Sequence, residues 1–580
     1  PGARAGRGGG RGRRAGPGRG RAARGRRHAR PPDPSGGRRR ARGWTWVQLY
    51  RVGTHLPGTG SPARAPHLAG LGVVPQPSSP SPSPQPTPPA TPHALELQRR
   101  ALVVLTEMAP AAIELGEAFR AAGHELALVG GPVRDAFLGR ASNDLDFATS
   151  ASPDETEAIL ARWGDAHWDI GKEFGTIGAK RFGRGGPGDD LVVEVTTYRT
   201  DEYDPTSRKP VVAFGDTLEG DLSRRDFTVN AMAVRVPDMT FVDPFDGLGD
   251  LARRVLRTPI APEQSFDDDP LRMMRAARFA AQLEFDVDGG TLAALVLMTE
   301  RIEIVSAERV RDELSKLLCG AAPRRGLEVL VDTGLADHVL PELPALKLEI
   351  DEHHRHKDVY EHSLTVLDQA IAQETGPDGA VPAPDLVLRL AALLHDVGKP
   401  PTRRFEAGGG VSFHHHEVVG AKMVAKRLKA LRYDKQVVKD VARLVELHLR
   451  FHGYGDGAWT DSAVRRYVTD AGPLLERLHR LTRADCTTRN RRKAQRLRES
   501  YDDLERRIAD LQAKEELDAV RPDLDGQQIM EILGIRPGPV VGKAYKHLLE
   551  LRLDRGPVDE ETARADLLRW WAEQPESSAS

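Results

Sequence analysis

Residues 128–147 read LVGGPVRDAFLGRASNDLDF, a strand running into a helix and then into a second strand. Gly130 and Gly131 close the first strand, and Pro132 stands in the first helical turn, where its missing N–H costs nothing. Two glycines admit an anion to the backbone amides, the helix start favours negative charge, and Arg134 forks onto phosphate oxygens. Asp144-Leu145-Asp146 follows one short helix later. A strand's side-chain period of two sends Asp144 and Asp146 to one face and Leu145 and Phe147 to the other, toward a core. Hard carboxylate oxygens brought together in this way suit Mg²⁺, and two such ions serve the attacking and leaving oxygens of a phosphoryl displacement. Glu194, alternating with Val193 and Val195 in VVEVTTYR, is the candidate third carboxylate. Alone, the glycine pair equally fits a tight turn, and Glu194 a solvent-facing strand residue. The glycine turn followed directly by paired acids favours a metal-and-phosphate site.

Outward from this stretch the chain divides by pattern. Helical periodicity begins near Leu95, and β-type runs at 125–129, 145–148, 176–180, 191–196 and 232–236 predict a small α/β head over 95–262. Amphipathic helices then predict an all-α neck over 263–350, a histidine-rich all-α domain over 351–490 and a helical tail over 491–580. The fold class is multidomain α+β, with no strands expected after the head. Residues 1–94 are Arg/Gly-rich and then Pro/Ser-rich, a composition expected to remain disordered. Before Ala94 stand 17 Arg, no Lys and one acid, Asp33, so the formal charge of −1 conceals a basic extension and a body near −17. Bulk charge therefore gives no argument for nucleic-acid binding; basic partners of RNA must be local patches. Cys319 and Cys486 alone exclude a disulfide scaffold and fit a reducing compartment, the cytoplasm. No run approaches the 18 apolar residues of a membrane span.

The head resembles the nucleotidyltransferase fold of the polymerase-β superfamily, and the combination resembles class II (bacterial-type) CCA-adding tRNA nucleotidyltransferases, with bacterial poly(A) polymerases as near relatives. Besides GGPVRDAFLGR and NDLDF, the blocks are DLSRRDFTVNAMA (221–233), DPFDGLGDL (243–251), DDDPLRMMRAARFAAQL (267–283) and SAERVRDELSKLL (306–318). The resemblance implies that Arg224, Arg225 and Asp226 contact the nucleotide, and that the substrates are tRNA, CTP and ATP. DEYDPTSRKP (201–210) resembles the mobile loop needed for terminal A addition, which favours full CCA over CC-only addition. Asp268 stands where the family usually has Glu.

In the neck, Asp269 and Arg272 lie three apart at the start of a helix marked by Pro270, hence on one face. A carboxylate accepts from an exocyclic amine and a guanidinium donates to a ring nitrogen or carbonyl, so cytosine and adenine satisfy the pair. Guanine and uracil leave both groups unpaired, which discriminates strongly. The family is understood to select CTP and ATP in this way, with Asp269 and Arg272 at the matching positions. Arg275 and Arg278, one and two turns on, are expected to reach the triphosphate.

The histidines cluster at 353–362, 395, 414–416 and 448, which suggests a second metal site. His362, His395-Asp396 and Asp485 resemble the H…HD…D pattern of HD-domain phosphohydrolases, with His416 and His448 as further candidate ligands of a transition metal. That resemblance implies phosphoester hydrolysis, in related enzymes at RNA ends; a structural metal or an inactive remnant is the alternative. Arg491, Arg492 and Lys493 in a basic helix, and Lys543 after a Pro/Gly turn, are candidate RNA contacts, the basic helix equally fitting one salt-bridged with its nearby acids. The rival readings are a poly(A) polymerase, and an RNA-binding scaffold whose only enzyme is the HD domain. No protein partner is evident.

Overall fold

The computed structural model describes Ala101 and residues 110–579 apart from 141–143, 184–189, 203–210, 216, 348–357, 407–409, 455–458, 489 and 516–519. The expected disordered extension, most of the 201–210 loop and the histidines at 353–356 therefore lie outside the described residues. The chain divides into two units, Pro1–Pro86 and Thr87–Ser580, and every described residue belongs to the second. Among the described residues no helix is long and apolar enough to cross a membrane.

The head begins with α1 (residues 110–121), β1 (Leu126–Val129), α2 (Gly131–Phe137) and β2 (Asp144–Thr149). It continues through α3 (Pro153–Trp163), β3 (Ala166–Trp168), β4 (Thr176–Arg181), β5 (Leu191–Thr197), β6 (Arg199–Glu202) and β7 (Val211–Phe214). It closes with α4 (Leu218–Ser223), β8 (Ala233–Val236), β9 (Thr240–Val242) and α5 (Gly247–Arg253). Seven strands form one sheet in the order β3-β4-β5-β2-β1-β8-β9. The β2/β5 pair is parallel and the other neighbours are antiparallel. On the two central strands the alternation holds: Leu145, Phe147, Val193 and Val195 are buried, while Asp146 and Glu194 are exposed. Each buried side chain contributes roughly 1.5–3 kcal/mol, so a one-residue slip, which exchanges every inward and outward residue, is strongly disfavoured. The five expected strands correspond to β1, β2, β4, β5 and β8. The others are short, and β3 (AHW) and β6 (RTDE) lack an apolar alternation.

The head ends with β10 (Val255–Leu256), and the neck comprises α6 (Pro262–Asp268), α7 (Leu271–Leu283), β11 (Asp286–Val287), α8 (Gly289–Met298), α9 (Ala307–Leu318), α10 (Pro323–Asp332) and α11 (Leu335–Val339). Strands do not stop at the head: β11 pairs in parallel with β10 over two residues. The central helix α7 is buried nearly all round, including Arg272 and Arg278. At Gly326 a Cβ would stand 2.4 Å from the Ala277 carbonyl, so glycine is what lets α10 lie this close to α7.

The histidine domain runs through α12 (Val359–Ile371), α13 (Leu386–Leu394), α14 (Lys399–Thr402), the hairpin β12 (Arg404–Phe405) and β13 (Val411–Ser412), α15 (His416–Ala430), α16 (Lys435–Leu447), α17 (Asp461–Ala471), α18 (Leu475–Ala484) and α19 (Arg491–Glu515). Tyr501, Leu504, Ile508 and Leu511 repeat at helical spacing and join the core shared by head, neck and histidine domain. The break in the core thus falls after Leu511, not at residue 490. A separate core, including Leu524, Ile529, Leu548 and Leu567, holds α20 (Gly526–Leu533), α21 (Pro539–Arg555) and α22 (Glu560–Ala572).

Candidate active sites in the head and the histidine domain

A cavity of about 760 Å³ opens at the end of β1, lined by residues of both head and neck. Gly130 carries φ 73° and ψ −132°, the mirror image of an extended residue, and this conformation turns β1 into α2. Its missing Cβ would lie 3.0 Å from Arg225 Nη1. Gly131, Arg134 and Asp146 line the same cavity. Asp146 stands in register with Glu194 on parallel β5, so the two exposed acids are lateral neighbours on one face of the sheet. Asp144 opens β2 opposite Val192, and its side chain lies outside the described residues. Hard carboxylate oxygens on adjacent exposed strand positions, beside a glycine turn, fit a divalent cation such as Mg²⁺.

Eight arginines line this cavity against three acids. Arg134 is buried and fixed: it donates to Asp135 through Nε and Nη2, both 2.9 Å, and to Asn230 Oδ1 through Nη1 at 2.6 Å. Arg224 and Arg225 both clasp Asp221, at 2.9 and 3.0 Å. Burial raises the Asp221 carboxyl, but these two guanidinia outweigh it and hold it below its ordinary value. Asp226 is likewise held low against the burial that raises it, by Arg275 (Nε to Oδ2, 3.0 Å), Asn230 and the Phe227 amide. Arg278 reaches Glu313 Oε2 at 2.6 Å. The sequence reading missed Phe279 and Arg309. The Phe279 ring lies under Arg278, Arg134 and Arg275, whose guanidinium carbons stand 3.9, 5.3 and 5.9 Å from its centroid.

Asp269 and Arg272 line the cavity as expected, but not as neighbours on one helical face. Asp269 follows the last residue of α6 in an extended conformation (φ −145°, ψ 98°), because the residue before proline is driven out of the helical region. Its Oδ1 accepts from the Leu271 amide and its Oδ2 from Arg309 Nη2 at 3.0 Å. Arg272, 5% exposed, donates through Nη1 to Ser265 O and Oγ and through Nη2 to the Arg224 carbonyl. One unused lone pair on each carboxylate oxygen, and the Nε–H and a second Nη2 hydrogen of Arg272, are left for a ligand.

The second site lies where helices of the histidine domain end together. His395, His448 and Asp485 directly follow α13, α16 and α18, His416 begins α15, and His362 comes from the first turn of α12. The Nδ1 atoms of His395, His416 and His448 lie 2.9, 2.8 and 2.6 Å from the carbonyls of Ala392, Phe413 and Val445. Each donates there, which leaves Nε2 as an acceptor. His362 Nδ1 meets Thr487 Oγ1 at 3.1 Å. His362 Nε2 stands 3.0 Å from Asp485 Oδ1 and 3.3 Å from His395 Nε2. His416 Nε2 and His395 Nε2 flank the Asp396 carboxylate at 3.3 and 3.2 Å, and His448 Nε2 is 3.9 Å from it. Burial pushes His448 down to about 3, with the charge of His395 adding to it. Among the described residues, His416 Nε2 and His448 Nε2 are buried without a hydrogen-bond partner, as expected of donors arranged for a cation. The six side chains form two trios, His362/His395/Asp485 and Asp396/His416/His448. Lys399 also reaches Asp396, at 2.6 Å.

The expected RNA contacts divide. Arg491, Arg492 and Lys493 are exposed on the first turn of α19 and make no ion pair among the described residues. Lys543 on α21 is bound to Glu576 at 2.8 Å, so its ammonium is already engaged.

Comparison with known proteins finds three families along the chain: "Poly A polymerase head domain" over residues 126–257, "Probable RNA and SrmB- binding site of polymerase A" over 284–346, and "HD domain" over 359–510. An A-adding tRNA nucleotidyltransferase of Deinococcus radiodurans is 36% identical over 459 residues, 78% of this chain and 96% of that protein. A CCA-adding enzyme of Levilactobacillus brevis is 42% identical over 231 residues, 40% of this chain and 55% of that protein. The crystal structure of the Bacillus stearothermophilus CCA-adding enzyme in complex with CTP matches with a TM-score of 0.55 at 25% identity, over 80% of this chain and 97% of that one.

Proposed function

The chain belongs to the bacterial-type CCA-adding tRNA nucleotidyltransferases that carry an HD domain, and from that premise we propose that it completes tRNA 3′ ends with C, C and A from CTP and ATP, without a nucleic-acid template. The observation that carries this reading is the joint cavity: a glycine turn, the strand-borne Asp146 and eight arginines converge from head and neck. Asp144 and Asp146, with Glu194 beside them, would hold Mg²⁺, which when bound would favour attack of the RNA 3′-hydroxyl on the α-phosphate and departure of pyrophosphate. Gly130 and Gly131 admit the triphosphate to the backbone amides at the start of α2. Arg134, Arg224, Arg225, Arg275 and Arg278 neutralise its charge, with Asp226 positioning Arg275 and Asp221 positioning Arg224 and Arg225. The spare acceptors of Asp269 and donors of Arg272 read the base edge. Their other hydrogen bonds hold both groups still, so guanine or uracil meets two rigid mismatches.

The HD domain is a second catalytic centre in this proposal. His362, His395 and Asp485 would hold one transition metal and Asp396, His416 and His448 a second, which when bound would supply an activated water for hydrolysis of phosphoesters at RNA ends. Arg491, Arg492 and Lys493 take RNA phosphates at the rim. A narrower reading, addition of the terminal A alone, has its own support in the near-complete alignment with the A-adding enzyme of Deinococcus radiodurans. Two variants separate the centres. Asp146→Asn is expected to abolish nucleotide addition and spare hydrolysis of a phosphoester by the metal-loaded protein; His395→Ala is expected to do the reverse. Loss of both activities from either single change contradicts the two-site assignment.

A further inference from the structure

The face made by α15 and α16 carries a groove of about 710 Å³ that shares no lining residue with the nucleotide cavity and none with the two metal-ligand trios. Lys422, Lys429, Lys435 and Lys439 line it, are exposed, and have no hydrogen bond or ion pair from their ammonium groups among the described residues. The acids of the groove are occupied. Arg443 holds Glu446 at 2.7 Å and Asp470 at 3.4 Å, and Gln436 donates to Asp440 at 2.7 Å. The floor is apolar and shallow, with Ala421, Ala425 and Pro473, and so accommodates lysine stems while leaving their heads in solvent. Within an acidic body these four cations are the opposite of what bulk composition predicts.

The position of the groove identifies its partner. The turn from α15 to α16 is seated on α9: Arg311 Nη1 donates to the Arg432 carbonyl at 2.7 Å, and Ser315 Oγ and Tyr433 Oη lie 3.0 Å apart. The same helix α9 sends Arg309 into the nucleotide cavity and belongs to the segment matched by the RNA-binding family. Lys429 and Lys435 flank this turn, and Lys439 continues one helical turn along α16, about 6 Å further. A row of separate ammonium groups suits an extended polyanion, which meets them one phosphate after another, rather than a single anion.

We propose that the α15–α16 face is a track for the RNA phosphate backbone, continuing over α9 from the nucleotide cavity and holding the body of the substrate while its 3′ end occupies that cavity. This rests on tRNA being the substrate, and its test is independent of catalysis. Binding of a tRNA transcript that lacks its terminal CCA is measured with the full chain between 50 and 200 mM KCl. A duplex phosphate contact contributes about 0.9 to the slope of log K against log salt. The triple variant Lys429→Gln, Lys435→Gln, Lys439→Gln is expected to lower that slope by about 2 to 3 and to weaken binding by roughly a hundredfold to a thousandfold at the lower salt. Its kcat at saturating RNA is expected to be unchanged, whereas absence of any nucleotide addition by the unaltered protein indicts the functional reading instead. An unaltered slope overturns the track.

Chemical labelling keeps the idea falsifiable should the variant fold poorly. In the unaltered protein, Lys429, Lys435 and Lys439 are expected to be shielded from an amine-reactive reagent by the transcript. Full labelling with the transcript bound overturns the proposal, and shielding by polyglutamate but not by the transcript assigns the groove to an acidic protein segment and overturns it equally.

Discussion

Replacing Gly130 by alanine tests how the phosphate cradle is built. At φ 73° and ψ −132° an alanine occupies backbone space that only glycine reaches freely, a strain of about 1–3 kcal/mol. The added Cβ also stands 3.0 Å from Arg225 Nη1, tighter than an ordinary contact, and Arg225 cannot yield without loosening its hold on Asp221 at 3.0 Å. Both effects fall on groups that face the triphosphate. Gly130→Ala is therefore expected to cost about 1–3 kcal/mol of unfolding free energy. It should also lower kcat/KM for CTP and ATP about tenfold to a hundredfold, each tenfold being about 1.4 kcal/mol. Gly131 supplies the control. It begins α2 without a positive φ, and a Cβ there meets only Arg134 Nη2 at an ordinary 3.8 Å, so Gly131→Ala is expected to stay within about 0.5 kcal/mol. Urea unfolding and steady-state nucleotide incorporation measure both variants. Equal effects at the two positions, or a destabilised Gly130→Ala with unchanged nucleotide kinetics, would refute the reasoning.

Further expectations concern the other groups. Phe279→Leu removes the ring shared by Arg134, Arg275 and Arg278, each contact worth about 0.5–2 kcal/mol, and should raise KM for the nucleotide with little change in kcat; Phe279→Tyr should restore it. Elemental analysis of the purified chain should find two transition-metal ions in the HD centre, and His416→Ala or His448→Ala should leave one while nucleotide addition persists. Because Asp221 lies below its ordinary value near 3.8 in the folded head, its stabilisation is complete above that value and is lost as pH falls through the lower folded one. Asp221→Asn should therefore flatten the acid limb of the stability profile, a change visible in melting temperatures measured from pH 2 to 6.

The central strands were legible because their information is local. Leu145, Phe147, Val193 and Val195 alternate with Asp146 and Glu194, and burial enforces that period in three dimensions. The candidate HD ligands were legible as residue types, but their division into two trios was not, since it depends on how the ends of α13, α16 and α18 meet across some hundred residues. Asp269 was misplaced for a local reason. Helical spacing to Arg272 suggested one face, whereas Pro270 forces its predecessor into an extended conformation and hands the carboxylate to Arg309. Arg309 itself sits in the block 306–318, but nothing in its neighbours signals a partner 40 positions earlier. For Lys543, its place near a helix start suggested a phosphate contact, while the ion pair with Glu576 depends on tertiary packing that its neighbours in sequence do not signal.

Supplying the full chain with three tRNA transcripts, ending before CCA, after C, and after CC, together with each labelled nucleoside triphosphate in turn, tests most directly whether this is a CCA-adding active site. C is expected on the first two, a single A on the third, and no G or U on any. Long A tracts, A on the transcript ending in CC without any C on the other two, or incorporation of G or U would contradict that assignment.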